Sequence, residues 1–242
     1  MMSVNARKGK GLDDTINGLI PAPLEESHAV RRTGISTYDR LLQKYEQLLS
    51  LHRFTPFEAQ EKDLDACIDA ITEILTPLQI NSFYQGLVRY EHRGRNHVDG
   101  VGLFLSILIQ NSYDAGNNDF MMETELSKKP NYLGTSIRGT AERPLILTVH
   151  GDVGDGFCSG GEYVHATVPG WGLAFFTDKS QHCRFTIDEY VFLEDWSVYD
   201  NCYRTTDLRT IEILKNNVPK GRNNKIIFIH PEGWEETVRD MQ

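Results

Sequence analysis

Residues 145–168 read LILTVHGDVGDGFCSGGEYVHATV, and two strand-like triplets inside this stretch decide the predicted fold. The triplet at 147–149 (Leu-Thr-Val) recurs at 166–168 (Ala-Thr-Val), at 185–187 (Phe-Thr-Ile) and more loosely at 205–207 (Thr-Thr-Asp). The central threonines are therefore 19, 19 and 20 residues apart. A fixed period near twenty, with glycine or aspartate at the corners, is typical of chains that wind into stacked rungs. We therefore predict a β-solenoid of about four rungs.

Strand alternation assigns an inner and an outer column to these rungs. The predicted inner column is apolar through three rungs and consists of Leu145, Leu147, Val149, Val164, Ala166, Val168, Cys183, Phe185 and Ile187. In the fourth rung, Cys202 falls in the same column as Cys183, which makes them close neighbours and turns Arg204 inward. A one-residue slip of this last strand would turn Arg204 outward again, because successive side chains alternate between faces.

The first half of the chain carries helical signals instead. Predicted helices begin at Ser36 or Thr37, at Thr55-Pro56, at Thr76-Pro77 and near His97, and apolar residues recur at helical spacing after each start. The predicted class is thus α+β, a helical lobe followed by a β-solenoid. The predicted organisation is a poorly ordered tail at 1–34, a helical lobe at 35–116, the solenoid at 119–214, and a C-terminal strand and tail at 215–242 that pack on the solenoid or on a partner.

One turn of this repeat resembles a known family. The glycines and the Ser-Gly-Gly of 151–164 are similar to one rung of the GXGXG β-helix, found in the C-terminal domain of the glutamate synthase large subunit and in a subunit of formylmethanofuran dehydrogenase. The resemblance covers about fifteen residues and one full glycine pattern. In those families the β-helix organises subunits and has no catalytic residues of its own, so the resemblance implies a scaffold role.

Composition narrows the classes of function. The 242 residues carry a net charge of −9, which disfavours nucleic acid as the main partner because nucleic-acid binding requires a basic surface. The longest apolar run, 101–109, is too short for a membrane span. Four scattered cysteines without a CxxC pair indicate a reduced, cytoplasmic protein and no structural zinc site. No cofactor is predicted.

The outer column of the repeat is the first candidate site. It consists of Tyr163, His165, His182, Arg184, Asn201 and Tyr203, edged by Thr167 and Thr186. Tyrosine and arginine are typical anchors of binding interfaces. This column is therefore a candidate binding surface, although an ordinary solvated face would have the same kinds of residues.

Two further groups support an alternative. The glycine-rich corner after the first rung contains His150, Asp152, Asp155 and Cys158, which could hold a divalent metal, although glycine and aspartate also serve simply to turn the chain. A basic cluster with Arg93 and Arg95 precedes the predicted fourth helix and could bind an anion.

We therefore predict a cytoplasmic scaffold or interaction protein that binds a subunit or partner through its solenoid face, as a homo-oligomer or with a protein partner and without a membrane. The alternative is a small-molecule or metal-dependent enzyme whose site lies between the lobes, where the corner and the Arg93/Arg95 cluster would face each other.

Overall fold

A computed structural model describes residues 36–54, 68–89, 95–124, 129–169, 179–187, 200–218 and 222–241. These residues contain four α-helices: α1 Thr37–Phe54, α2 Pro77–Arg89, α3 Arg95–Asp114 and α4 Leu208–Asn217. They also contain seven strands: β1 Asp119–Glu123, β2 Leu145–His150, β3 Val164–Val168, β4 Arg184–Ile187, β5 Cys202–Thr205, β6 Asn224–Ile229 and β7 Glu235–Met241. The predicted tail at 1–34 lies outside the described residues.

The first two described helices begin at the predicted capping residues. Ser36 Oγ accepts a hydrogen bond from the Asp39 backbone N–H at 3.1 Å, and the Asp39 carboxylate accepts one from the Ser36 N–H at 3.1 Å. Thr76 and Gln79 form the same reciprocal pair before α2. Each pair satisfies two backbone donors that the first turn of a helix leaves free. The predicted helix starts at these two sites are confirmed.

The other two predicted helices have different outcomes. α3 confirms the helix that was predicted from about His97 to Ser112, and it is two residues longer at each end. The predicted start at Thr55-Pro56 lies outside the described residues. The apolar stripe of that helix was predicted to reach Leu75, which is wrong, because residues 71–76 have no regular secondary structure.

The strands form one open sheet in the order β1-β2-β3-β4-β5-β6-β7. The first six strands run parallel, and β7 returns antiparallel to β6. The nineteen-residue period sets the register of the middle strands, because Thr148 lies beside Thr167 and Thr167 beside Thr186. The predicted inner column is confirmed as well: its nine residues are at most 3% exposed.

The predicted α+β fold with a β-solenoid is wrong. The described chain is an α/β fold with a seven-stranded, mostly parallel sheet that stays open, and no solenoid is formed within it. Within the described residues, each repeat supplies one strand to a single sheet, whereas a solenoid rung must supply strands to two or more sheets that face each other. The inner side chains join one hydrophobic cluster that also contains residues of α1, α2 and α3 and of the irregular segments around Leu133 and Phe157.

The fourth strand of the repeat shows the one-residue slip. β4 and β5 pair Phe185 with Tyr203 and Thr186 with Arg204, a separation of 18 residues rather than the 19 that would place Cys202 beside Cys183. Tyr203 and Thr205 are consequently buried, and the Arg204 side chain reaches the opposite face, where it pairs with Glu235. This register avoids the cost of placing an arginine in the apolar core.

A buried polar ladder follows from this register. The Cys183 N–H donates to Asn201 Oδ1 at 2.8 Å, and the Asn201 N–H donates to Asn224 Oδ1 at 3.1 Å. The Asn201 amide group also donates to the Ser180 carbonyl and hydroxyl at 3.1 and 2.9 Å. Each asparagine thus satisfies a backbone donor at the point where the neighbouring parallel strand begins. Such pairing is what makes a buried amide tolerable.

Candidate functional site

The outer face of the sheet brings a row of polar side chains into direct register. His165 lies beside Arg184, Arg184 beside Cys202, and Cys202 beside Lys225. Neighbouring strands are about 4.8 Å apart, so the four backbone positions span roughly 15 Å. We call these four residues, His165, Arg184, Cys202 and Lys225, the basic row.

A second row lies next to the basic row, two residues further along the strands. It contains the in-register threonines Thr148, Thr167 and Thr186, followed by Arg204. The threonines are half-buried and present hydroxyl groups at the spacing of the strands. Arg204 differs from Arg184 in having an acidic partner, Glu235, on β7. This second row therefore adds hydrogen-bonding groups and one neutralised cation to the face.

A third group precedes the strands. Tyr163 and His182 stack with their ring centroids 4.8 Å apart, and His182 Nδ1 lies 3.5 Å from Asp200 Oδ2. Tyr163, His182, Asp200 and the next residue of this column, Asn223, all have left-handed backbones with φ between 51° and 55°. Left-handed φ is uncommon for residues other than glycine, and for tyrosine in particular it is unfavourable. The column is thus a repeated corner that turns the chain into β3, β4, β5 and β6.

The basic row changes the protonation of its own members. Burial, and then the Arg184 guanidinium, hold the pKa of His165 below 6.5. Burial raises the pKa of the Cys202 thiol, while Arg184, Arg204 and Lys225 all act in the opposite direction. The cations lower both pKa values, because nearby positive charge disfavours the protonated imidazole and favours the thiolate. The row therefore has a positive local potential.

Replacing Arg184 with glutamine is expected to raise the pKa of His165 towards 6.5, with burial still holding it below that value. The native state then binds the His165 proton more readily, so less stability is lost as the pH falls below about 6.5. An NMR titration of the imidazole protons measures this directly. Arg209→Gln, an exposed arginine of α4, serves as the control. A His165 pKa that stays constant or falls in Arg184→Gln would contradict the assigned electrostatics.

The predicted outer column is only partly correct. Tyr163, His165, His182 and Arg184 lie together on the outer face or its leading corner, as described above. Tyr203 and Asn201 were predicted to point outward, but they are 0% and 1% exposed because of the slip between β4 and β5. Tyr203 stacks instead on Phe185 in the core, with centroids 5.6 Å apart.

The same slip separates two cysteines. Cys183 points into the core beside Asn201, and Cys202 lies on the outer face beside Arg184. Their predicted placement in one column is wrong, and both are free thiols. Burial raises the pKa of Cys183 to about 12, so its thiol is protonated at neutral pH. It accepts the Val164 N–H at 3.4 Å, which continues the buried ladder.

The glycine-rich corner is held by side-chain hydrogen bonds to its backbone and by one ion pair. Thr124 Oγ1 donates to the His150 and Asp152 carbonyls, Asp152 pairs with Lys129 at 3.1 Å, and the Asp155 N–H donates to Asn131 Oδ1 at 2.9 Å.

Cys158 lies in the core, fully buried against Gly134. Burial raises its pKa well above the ordinary value, and the neighbouring Cys183 adds to this effect. Among the described residues, no group of three or more histidine, cysteine or acidic side chains could hold a metal ion.

The two clusters of the enzyme alternative are not brought together by a described contact. Arg93 lies outside the described residues, and Arg95 is the first residue of α3. The corner meets the middle of α3 instead: Asn131, which binds Asp155, packs so closely on Gly102 that a side chain there would overlap its carbonyl. Gly102 is seven residues, or about 10 Å of helix, beyond Arg95.

Exposed apolar side chains complete the outer face. Met121 of β1 is 53% exposed and Ile146 of β2 is 37% exposed. Both belong to strands that precede the cationic part of the sheet, and Met121 lies beside Thr148. The outer face therefore has two exposed apolar side chains at β1 and β2, next to the carboxylates Asp119 and Glu123 of β1, and a cationic part from β3 to β6.

Comparison of the chain with protein-family models, with curated proteins and with solved structures found no match. The resemblance to the GXGXG β-helix thus stays a prediction. Across the described helices, none combines the length and the apolar character that a membrane crossing requires.

Sequence reasoning missed half of the basic row. Lys225 and Cys202 belong to it as firmly as His165 and Arg184, which were predicted. The signal that would have found Cys202 is the need to keep Arg204 out of the core, since the same slip turns both residues outward. Lys225 follows Cys202 by 23 residues rather than 19, because α4 lies between β5 and β6 and interrupts the period.

Proposed function

We propose that this protein acts by binding, and that the outer face of its sheet receives an acidic segment of a protein partner. The observation that carries the proposal is the state of Arg184 and Lys225. Neither side chain forms a hydrogen bond or ion pair with another described residue, although the chain has nine more acidic than basic residues. Cations that have no acidic partner within the described part of the chain are available to an acidic ligand.

The exposed apolar side chains of the face favour a polypeptide over a small free anion. Protein interfaces combine exposed apolar groups with charged groups at the rim, and Met121 and Ile146 supply the apolar part. The half-buried threonines of the second row offer hydroxyl groups for backbone or side-chain hydrogen bonds. A partner segment that combines an apolar residue with two or more carboxylates can contact all of these groups.

The remaining parts of the proposal follow the sequence analysis. The partner is a protein subunit or a second copy of the chain, in keeping with the scaffold role that the GXGXG resemblance implies. Nucleic acid is disfavoured, because it is a long polyanion and a protein with a net charge of −9 would repel the part of it that does not contact the basic row. A cytoplasmic location belongs to the same proposal.

The test compares two peptides and two double variants. The peptides have twelve residues each and differ only in carrying glutamate or glutamine at four positions after a leucine pair. Fluorescence anisotropy is expected to show at least about tenfold tighter binding of the glutamate peptide to the wild type, with a loss on adding salt. Arg184→Glu with Lys225→Glu is expected to abolish this preference.

The matched control is Arg40→Glu with Arg209→Glu. Both arginines are exposed and lie in the first turn of a helix, where an acidic side chain is well tolerated. This control has the same net charge as the face variant, so a long-range effect of charge would weaken both equally. Equal weakening of the two double variants, or equal binding of the two peptides by the wild type, would refute the proposed function.

A further inference from the structure

A groove of about 670 Å³ runs along α3 on a part of the molecule distinct from the outer sheet face. One wall is α3 itself, the second is the irregular segment after residue 68, and the floor includes the turn at 135–137. Its apolar lining consists of Ile68, Ile71, Ile74, Leu103, Ile107 and Ile137. A volume of this size is typical of sites for a single small ligand.

The apolar wall includes a side chain that the described fold leaves in solvent. Ile74 lines the groove and is 65% exposed. From Leu103 to Asp114 the groove follows α3 for about 16 Å, which gives it an elongated shape suited to a linear chain. Burial of such a chain would remove the apolar surface of Ile74 and Ile107 from water.

The polar groups along the groove are mostly committed to the fold. Ser106 Oγ donates to the Gly102 carbonyl at 2.7 Å and accepts the Gly134 N–H at 2.8 Å. Gln110 binds both backbone groups of Arg138, and Asn111 donates to the Ile71 carbonyl at 2.7 Å. These contacts fix the two walls relative to each other and leave charge as the main means of distinguishing one ligand from another.

The charged side chains of the described lining are Asp69 and Asp114. Asp114 is the last residue of α3, and its Oδ1 accepts a hydrogen bond from the Gln110 amide at 2.9 Å, while Arg143 donates to the neighbouring Tyr113 carbonyl at 2.9 Å. Asp69 lies two residues before Ile71. The Asn111 side chain binds the Ile71 carbonyl, which holds this segment against the last turns of α3. Both carboxylates are exposed, and the described lining contains no lysine, arginine or histidine. The opposite end, around Leu103 and Ile107, is apolar.

We propose that this groove binds a linear amphiphile with an unbranched apolar chain and a cationic head, a long-chain amine or ammonium compound. The chain lies along Leu103, Ile107 and Ile74, and the head lies at Asp114 and Asp69. This site is independent of the outer sheet face, so either proposal can fail without the other.

The experiment is calorimetric titration with decylammonium, decanol and decanoate, all at concentrations at which none forms micelles. Decylammonium is expected to bind with 1:1 stoichiometry and at least about tenfold more tightly than decanoate, with decanol between them. Asp69→Asn with Asp114→Asn is expected to remove most of the difference between the amine and the acid. Similar affinities of the wild type for all three, or preference for decanoate, would overturn the proposal.

A matched pair of variants tests the position of the chain. Ile74→Gln and Leu78→Gln alter side chains that are 65% and 64% exposed, and only Ile74 lines the groove. Neither change removes a buried group, so both variants are expected to fold with unchanged thermal stability. Decylammonium is expected to bind several-fold more weakly to Ile74→Gln alone. Absence of decylammonium binding by the wild type, or equal weakening in both variants, would also overturn the proposal.

Discussion

Replacing Asn201 with alanine is expected to lower the free energy of unfolding by about 2–4 kcal/mol. The side chain is 1% exposed, and its carbonyl oxygen accepts the Cys183 N–H at 2.8 Å. Alanine leaves that buried N–H without this acceptor and also removes the amide that binds Ser180. A buried backbone donor without a partner costs its full desolvation energy, which is why the loss exceeds that of an exposed hydrogen bond.

Chemical denaturation monitored by circular dichroism measures this loss. Asn217→Ala is the matched control, because Asn217 is exposed and its side chain donates, among the described residues, to the Ile213 carbonyl of its own helix. The control is expected to change stability by less than about 0.5 kcal/mol. Asn201→Asp keeps an acceptor for the Cys183 N–H but buries a carboxyl group, so it is expected to be destabilised more at pH 8 than at pH 5. A change below about 1 kcal/mol in Asn201→Ala would show that the ladder is not structural.

The repeat could be predicted from sequence, because strands of equal spacing have a readable chemistry. Leu147, Ala166 and Phe185 occupy the inner column, and threonines follow each of them on the outer face. The alternation of apolar and polar residues fixes the register of a strand with one buried face, since a slip would expose every apolar side chain. This rule predicted nine buried positions correctly.

What covers that face could not be predicted in the same way. A period of nineteen residues is compatible with a solenoid and equally with parallel strands joined by crossings over one sheet. The difference depends on what packs against the inner column, where Leu147 lies beside Gly134 of an irregular segment. Packing of distant segments is not encoded in the local spacing, so three helices were predicted correctly and assigned to a separate lobe, while α4 was included in the predicted solenoid.

Buried polar residues were the second source of error. Asn201 has the composition of a surface residue, and only its hydrogen bonds to Cys183 and Ser180 explain its burial. The same error affected the candidate site. The register that buries Asn201 and Tyr203, which were predicted to lie outside, also brings Cys202 to the outer face. His165 and Arg184 precede the slip and were therefore placed correctly.

Replacing Phe185 with alanine is expected to lower the free energy of unfolding by about 3–5 kcal/mol. Phe185 is fully buried in β4, near the middle of the sheet, between Ala166 and Tyr203. Alanine removes its stacking with the Tyr203 ring, and the small Ala166 beside it cannot fill the space that is left. The cost therefore includes both the lost apolar burial and a residual cavity.

Two further variants test whether the loss comes from the buried volume of Phe185. Phe185→Leu keeps most of the buried volume and is expected to cost clearly less than alanine, about 1–2 kcal/mol. Ile146→Ala, on the exposed face of β2, is expected to cost less than about 1 kcal/mol because its side chain is 37% exposed. Equal losses for Phe185→Ala and Ile146→Ala in denaturant unfolding would mean that the two faces of the sheet are equally solvated. That result would contradict the division into an inner column that stabilises the fold and an outer face that is free to bind.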